Sequence, residues 1–251
     1  MTGVGGAAAP AVRAFAFAEP EAGGRWGAAW LPPGADPAGV LDVGDQPSAA
    51  PLQLDGAEAT EPWRLTADPD TELVLEGLGP PAWSDPEARQ EEFHQLCRVS
   101  GVAGGRPLES LGWRWAREPA SDPAVRSFRA VAGWFDEQDG FAVAARRPGK
   151  AKGQDEDLIA AALFDPTGSR VVADPRLSTT YTESGQPTRA GVELWIEADA
   201  EPDHLYPRRA VGQAVRAPVP WRVAEVAMEA QPFRWFSGGR EGPGVYLLGQ
   251  W

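Results

Sequence analysis

The chain has 251 residues and 43% apolar content, which is enough for one large β domain or two small ones with a packed core. Its 36 acidic residues outnumber 23 basic ones, and the formal net charge of −13 makes nucleic acid and anionic membrane surfaces poor partners. Cys97 is the only cysteine, which excludes an intramolecular disulfide and a zinc site built on two thiolates.

The amino-terminal residues 1–12 are small and rich in Gly and Ala, which predicts a flexible tail and not a secretory signal. The longest apolar runs, such as residues 158–164, fall far short of the roughly 20 residues that a membrane helix needs. We therefore expect a soluble, cytoplasmic protein with no membrane insertion. The abundance of Arg and Ala is typical of a GC-rich bacterial genome.

Residues 13–93 contain strand-sized pieces that prolines and glycines interrupt throughout. A proline in a helix interior costs about 3 kcal/mol or more, so this composition predicts a small N-terminal β region. The best helix candidate in the chain is Asp85–Phe93, with Ser84 as its N-cap.

From residue 94 to residue 251, strand-like segments alternate with Gly, Pro and Asp turns. Gly104-Gly105 predicts a hairpin turn, because glycine readily adopts the positive φ angles that tight turns need. The segment Phe128–Trp134 alternates at period two and leads into a turn at 136–140, which predicts a second hairpin. The Asp-Pro-Thr-Gly sequence at 165–168 predicts a third.

The segment Thr188–Glu197 also alternates, but it carries large side chains on both faces, so alternation alone does not tell which face lies inside. About ten strands within residues 94–251 are the spacing expected of an antiparallel barrel or sandwich. The sequence therefore predicts an all-β fold. An antiparallel barrel over about residues 95–251 follows a smaller β region at residues 13–93, which we interpret as a separate β region or a reduced second barrel.

Few residues suit catalysis or metal binding. His94 and His204 each lack a second histidine or a thiolate at ligand spacing. Cys97 alternates with its neighbours in the way of a buried hydrophobic residue. Because the chain has no phosphate-binding loop, dinucleotide fingerprint or serine elbow, we expect neither a cofactor nor a metal.

Eleven tryptophans are many for this length. Barrel core is the default explanation, and the alternative is the wall of a ligand pocket. On that alternative the ligand-binding residues are Trp113, Arg114, Trp134, Arg189, Trp195 and Trp221. A desolvated Glu193 between an indole and a guanidinium could serve as acid, base or anchor, with Tyr181 as a second proton-transfer or hydrogen-bonding group. An exposed Glu193 opposite an arginine is the structural explanation for the same pattern.

Several motifs resemble the lipocalin-like proteins grouped with hydroxyneurosporene synthase and the AttH-type proteins. The resemblance covers Gln95–Trp251 and rests on Val99-Ser100-Gly101, Gly104-Gly105-Arg106-Pro107, Leu111-Gly112-Trp113-Arg114-Trp115, the Phe128–Phe141 hairpin and the strand Gly185–Leu194. It implies a calycin-like barrel able to enclose an apolar ligand, with Trp113 and Arg114 at matching positions. Members of the group usually have Asp or His directly after this arginine, where the chain has Trp115. They also tend to have two full barrels, which implies a truncated or merged first barrel here.

These observations favour a protein that binds a hydrophobic small molecule in a Trp-lined barrel pocket, with cofactor-independent lyase, cyclase or hydratase activity as an extension of that role. Two alternatives stand beside it. One is a structural or protein-interaction module whose exposed tryptophans and sheet edges recruit a partner. The other is a carbohydrate-binding protein, because sugars also stack on indoles.

Overall fold

The computed structural model describes residues 12–21, 24–43, 48–56, 58–67, 70–84, 92–118, 125–196 and 206–251. Within them the chain consists of β-strands in two sheets and a 3-10 turn at Gln154–Glu156, which confirms the predicted all-β fold. No helix in this part of the chain is long and apolar enough to cross a membrane. Residues 1–11 of the predicted tail and His204 lie outside the described residues, and Val12 begins the first strand.

Ten strands from the first half of the chain form one antiparallel sheet. They are β1 (Val12–Ala18), β2 (Trp26–Leu31), β3 (Ala38–Asp42), β4 (Ser48–Pro51), β5 (Gln53–Asp55), β6 (Trp63–Ala67), β7 (Thr71–Gly77), β8 (Ala82–Trp83), β9 (Glu92–Ala103) and β10 (Arg106–Arg117). The spatial order is β4-β3-β2-β1-β10-β9-β7-β6-β5, with β8 paired to β9.

The second sheet repeats this arrangement. Its strands are β11 (Val125–Asp136), β12 (Asp139–Pro148), β13 (Leu158–Asp165), β14 (Gly168–Val171), β15 (Asp174–Tyr181), β16 (Pro187–Trp195), β17 (Arg208–Ala214), β18 (Val219–Val223), β19 (Val226–Ser237) and β20 (Arg240–Gln250). Their order is β14-β13-β12-β11-β20-β19-β17-β16-β15, with β18 paired to β19. The strands β1–β10 therefore correspond one by one to β11–β20.

In each sheet a bent segment connects the first strand of the spatial order to the last, β4 to β5 in the first sheet and β14 to β15 in the second. β4 pairs with β3, while β5, which follows it after Leu52 alone, pairs with β6. Between β14 and β15, the Val172 amide donates to the Ala161 carbonyl oxygen of β13, and the Ala173 amide donates to the Trp195 carbonyl oxygen of β16. Both sheets are therefore barrel-like, as in a lipocalin-like fold with two barrels.

The long hairpin β9–β10 belongs to the first barrel, where β10 pairs with β1 and β9 pairs with β7. The spacing of turns in the sequence had placed the start of the second barrel at about residue 95. The difference arises because β1 and β10 are far apart in the chain, and local pattern does not reveal such a pairing. The change from one sheet to the other falls between Arg117 and Val125, and the first barrel has as many strands as the second.

The three predicted hairpin turns are confirmed. Gly104 and Gly105 join β9 to β10 with φ angles of +57° and +73°. The turns that follow β11 and β13 lie at the predicted positions. The predicted helix does not extend over Glu92-Phe93, which begin β9, and residues 85–91 lie outside the described part of the chain.

Large side chains occupy the interiors of both barrels. Side chains there that are at most 1% exposed include Phe15, Phe17 and Trp63 in the first barrel and Phe141, Trp235 and Tyr246 in the second. Most of the tryptophans lie elsewhere, in a third core between the two barrels. That core contains Trp26, Trp30, Trp113, Trp115, Trp134 and Trp221.

We call the contact between the two barrels the joint. Strands at the joint are buried on both faces. In β1, Phe15 and Phe17 point into the first barrel, while the alternating alanines at 14, 16 and 18 face the second barrel. In β11 the face predicted from Phe128–Trp134 is confirmed, and it faces the first barrel instead of the interior of its own. The small side chain of alanine lets the sheets approach each other closely, and the indoles fill the remaining space.

Enlarging an alanine at the joint should separate the sheets. We expect Ala28→Leu, at a fully buried position opposite Ala16, to reduce the free energy of unfolding by about 1–3 kcal/mol through overpacking. Urea denaturation measures this change. Ala49→Leu, at an exposed position on β4, is the control and should change it by less than about 0.5 kcal/mol. Equal losses in both variants would contradict the close-packed joint.

Two buried carboxylates each form hydrogen bonds to both barrels. Glu92 accepts a hydrogen bond from Trp115 Nε1 of the first barrel at 2.7 Å and from Arg146 Nη1 of the second barrel at 2.7 Å. Asp42 accepts one from Trp26 Nε1 at 2.8 Å and one from Arg216 of the second barrel. Each carboxylate therefore joins an indole of one barrel to a guanidinium of the other.

The Glu92 carboxylate should also make stability depend on pH. Burial by itself raises the pKa of Glu92, but the neighbouring His94 and the charge of Arg146 outweigh burial and lower the pKa from 4.5 to about 2. A lowered pKa means that this group stabilises the fold fully above about pH 4.5 and loses its contribution, about 3 kcal/mol, as the pH falls towards 2.

We expect Glu92→Gln to cost about 3–5 kcal/mol at pH 7, because it removes the buried carboxylate that pairs with Arg146 across the joint, and to flatten the acid dependence of stability. Urea denaturation at pH 7, 4 and 3 measures both effects. The exposed Glu109 on β10 supplies the control, since Glu109→Gln removes the same charge without touching the joint. If the free energy of unfolding of Glu92→Gln still falls with acid as in the wild type, a group other than Glu92 causes the acid dependence.

Candidate functional site

Three of the predicted pocket residues lie together in the core between the barrels. Trp113, Trp134 and Trp221 are 2%, 1% and 6% exposed, and their rings pack against the facing sheet. Trp113 Nε1 donates to His94 Nδ1 at 3.2 Å, which leaves the His94 Nε2 facing a Glu92 oxygen at 3.4 Å. The histidine has the ordinary core role that the sequence favoured.

Arg114 lies inside the first barrel, between two tryptophans that face outward from it. Its guanidinium donates to the Glu61 and Ala59 carbonyl oxygens, each at 2.6 Å, and to Gln95 Oε1 at 2.8 Å, and it lies 5.3 Å from the Trp63 ring centroid. Burial lowers the pKa of Arg114 from its ordinary value. These contacts tie a loop to the barrel interior, which is a structural role.

The remaining predicted residues belong to the second barrel but do not form one group. On β16, the buried Val192 and its alternating neighbours face inward, so Glu193 lies on the outer face. Its carboxylate pairs with Arg209 at 3.0 Å, Arg189 is exposed, and Trp195 is half-buried. Tyr181 lies at the end of β15, where its hydroxyl is 3.4 Å from that of Tyr246.

A cleft between the barrels brings together groups that suit a ligand better. It has a volume of about 240 Å³. The first barrel contributes Ala18–Glu21, Gly24 and Trp26, and the second contributes Val215-Arg216, Pro232–Arg234 and Glu241–Pro243. We call it the interbarrel cleft. Trp26 and Phe233 are each 1% exposed, the Phe233 ring packs against Trp235 and Tyr246 inside the second barrel, and the rim of the cleft is charged.

Backbone geometry sets the shape of this cleft. β1 ends at Ala18 and β2 begins at Trp26, and the turn between them forms one wall. Gly242 of β20 forms part of the other wall, where a Cβ atom would lie 2.1 Å from the Trp134 carbonyl oxygen. Only glycine allows the strands to approach this closely, so the cleft is built around a fixed backbone contact.

The charges at the rim are held in place by ion pairs. Arg216 is anchored by the buried Asp42, and its side chain is 37% exposed. Arg25 Nη2 donates to Glu19 Oε1 at 2.6 Å, and this hydrogen bonding lowers the pKa of Glu19. Glu241 pairs with Arg234 at 3.1 Å. The hydrogen bonds from Arg25 therefore favour the charged form of Glu19, which suits recognition of a polar group more than proton transfer.

Sequence reasoning missed most of this site. Trp26 and Arg216 are far apart in the chain, and nothing in their local pattern links them. The available signal was Asp42, a carboxylate at the end of an apolar strand-sized segment, because a carboxylate buried in a β-sheet requires donors from elsewhere. Within the described residues, no group of three or more His, Cys, Asp or Glu side chains is placed to hold a metal ion.

No protein-family model and no curated protein sequence matches the chain. Solved structures share its fold. An AttH protein from Nitrosomonas europaea superposes with a TM-score of 0.63 at 12% identity, covering 99% of this chain and 98% of the other. Kievitone hydratase from Nectria haematococca gives 0.55 at 6% identity, covering 96% and 89%, and CghA gives 0.52 at 12% identity, covering 96% and 88%. These are lipocalin-like barrel proteins, so the resemblance seen in the sequence is confirmed at the level of the fold.

The structural role of Arg114 can be tested by changing its donor geometry. We expect Arg114→Lys to lower the free energy of unfolding by about 1–3 kcal/mol, because one ammonium group cannot satisfy two carbonyl oxygens and Gln95 in the guanidinium's geometry. Urea denaturation measures the loss. The exposed Arg189→Lys serves as the control and should be nearly neutral. Unchanged stability in Arg114→Lys would return this residue to the list of ligand-binding candidates.

Proposed function

We propose that the chain binds a small molecule with an apolar body and a polar group in the interbarrel cleft. The observation that carries the proposal is the juxtaposition of apolar lining groups, which include Trp26 and Val215, with an anchored, partly exposed Arg216 at the rim. Ligand sites in proteins combine apolar walls with a few placed polar groups, and they occur preferentially where domains meet.

The size of the cleft limits the ligand. Its volume of about 240 Å³ is just below the range of about 300–1,000 Å³ that is typical of ligand pockets. A ligand of this proposal is therefore a compact molecule, or a larger one that inserts one ring between the barrels. Its polar group is an anion or a carbonyl, since the Arg216 guanidinium donates hydrogen bonds and accepts none.

A catalytic form of the proposal is cofactor-independent hydratase, lyase or cyclase chemistry, in keeping with the shared fold of a protein named kievitone hydratase. Under this form the cleft orients the substrate for reaction. Glu193 and Tyr181, the catalytic candidates from the sequence, do not line the interbarrel cleft, so this form of the proposal does not use them. A carbohydrate binder is a separate outcome of the same experiment.

The test is binding of a compound panel to a variant with a blocked cleft. We expect at least one aromatic carboxylate or aromatic ketone to raise the melting temperature of the wild type by mass action, with a Kd measurable by calorimetry. Val215→Trp should abolish the effect, because Val215 lines the cleft and a larger side chain fills it. Val211→Trp, at an exposed position on β17 outside the cleft, should bind like the wild type.

The panel also includes oligosaccharides and alkenes incubated in isotopically labelled water. Saccharide binding that resists Val215→Trp would favour the carbohydrate interpretation over the cleft. A mass gain of one water on a bound alkene, lost in Val215→Trp, would establish the hydratase form. If no compound shifts the melting temperature, the small-molecule proposal fails.

A further inference from the structure

A second cleft lies at the open end of the second barrel. It has a volume of about 540 Å³ and is lined by the turn Ser184–Gln186, by Pro220–Arg222 of β18, by Ala227–Glu229 of β19 and by Leu248 and Gln250 of β20. We call it the mouth cleft. The interbarrel cleft lies nearer the β19–β20 turn, at Pro232–Arg234 and Glu241–Pro243, so the two clefts share no lining residue.

Glu229 sets the mouth cleft apart. It is half-buried, and its cross-strand neighbours are Pro220 on β18 and Leu248 on β20. It makes no hydrogen bond or ion pair with any described residue. Burial raises the pKa of Glu229. Other carboxyl groups with shifted pKa values are lowered instead, and each has an arginine partner: Glu19, Glu92, Asp136 and Asp165.

The surroundings of Glu229 are largely apolar. Pro220 and Leu248 lie on the same face of the sheet as Glu229, and Leu248 is 6% exposed. The side chains of Trp221 and Met228 point to the opposite face, into the core between the barrels. Arg222 is the other charged side chain of the lining, but its Nη2 donates to the Glu225 carbonyl oxygen at 3.3 Å. The Glu229 carboxylate thus faces a cleft in which its neighbours on the same face include the aliphatic groups of Pro220 and Leu248.

This combination fits an organic cation. A carboxylate that has lost part of its hydration gains most from a partner that brings both a positive charge and hydrogen-bond donors. The aliphatic groups of Pro220 and Leu248 favour burial of the apolar part of such a ligand. The net charge of −13 raises the local concentration of cations around the molecule.

We propose that the mouth cleft is a second ligand site, which binds a small ammonium or guanidinium compound with an aromatic or aliphatic body, and that Glu229 is its anchor. The site is independent of the interbarrel cleft and of the ligand proposed there. Its preference is opposite in sign, since Arg216 selects anions or carbonyl groups and Glu229 selects cations.

The experiment measures binding of phenethylammonium, and of its neutral analogue 2-phenylethanol, by calorimetry at pH 7.5. We expect phenethylammonium to bind the wild type at least about tenfold more tightly than 2-phenylethanol. Glu229→Gln keeps the shape of the side chain and should weaken phenethylammonium binding about tenfold or more, because a charge-assisted hydrogen bond is lost. It should leave 2-phenylethanol binding unchanged.

The matched control is Glu225→Gln, which removes the same charge from an exposed position on the same hairpin and should leave binding unchanged. Val215→Trp blocks the interbarrel cleft and should also leave phenethylammonium binding unchanged, which separates this proposal from the first. Urea denaturation confirms that Glu229→Gln folds, since it removes a carboxylate that has no partner to lose.

Three results would overturn the proposal. Equal affinity of 2-phenylethanol and phenethylammonium would mean that the carboxylate is not the anchor. Equal weakening by Glu225→Gln and Glu229→Gln would mean that only the overall charge of the protein acts. Loss of phenethylammonium binding in Val215→Trp would place the cation in the interbarrel cleft instead.

Discussion

The two barrels pack face to face, and this contact sets the composition of the strands on either side of it. A strand of an isolated barrel needs one apolar face, but strands at this joint are buried on both. Alternation of alanine with larger residues, as in β1, meets both needs at once, since the alanines allow close approach and the large side chains fill the barrel. The indoles at the joint therefore hold the two halves together, and this explains why the chain has so many of them.

Polar groups trapped by this packing are satisfied across the joint. Glu92 and Asp42 each bind an indole N–H of the first barrel and a guanidinium of the second, so neither carboxylate finds its full set of partners unless both barrels are docked. Such arrangements add specificity to the docking as well as stability, because a shifted contact would leave a buried charge unpaired. Arginine suits this use, since its planar group offers several donors and remains charged when buried.

The two clefts differ in how their charges are treated. At the interbarrel cleft Glu19, Arg216 and the pair Arg234–Glu241 are each held by an opposite charge, and the ligand must compete with or complement these pairs. At the mouth cleft, Glu229 has no partner among the described residues, so no opposite charge offsets the free energy lost when its carboxylate is partly buried. Unpaired, partly buried charges are expensive and are found preferentially where a ligand supplies the missing partner. This contrast is the physical reason for assigning different ligand chemistry to the two ends of the second barrel.

Period-two alternation and turn residues were sufficient to predict an all-β chain, its hairpins and the common face of Phe128–Trp134, because strand geometry and glycine conformation are local properties. The same pattern could not tell whether that face meets the barrel interior, solvent or a second barrel, since alternation is identical in the three cases. Nor could it pair β1 with β10, or join Asp42 to Arg216, because these contacts bridge distant parts of the chain. Local pattern thus defines the strands and their two faces. What each face touches depends on the folded molecule, because docking of the barrels requires complementary shape between surfaces that are not neighbours in the chain.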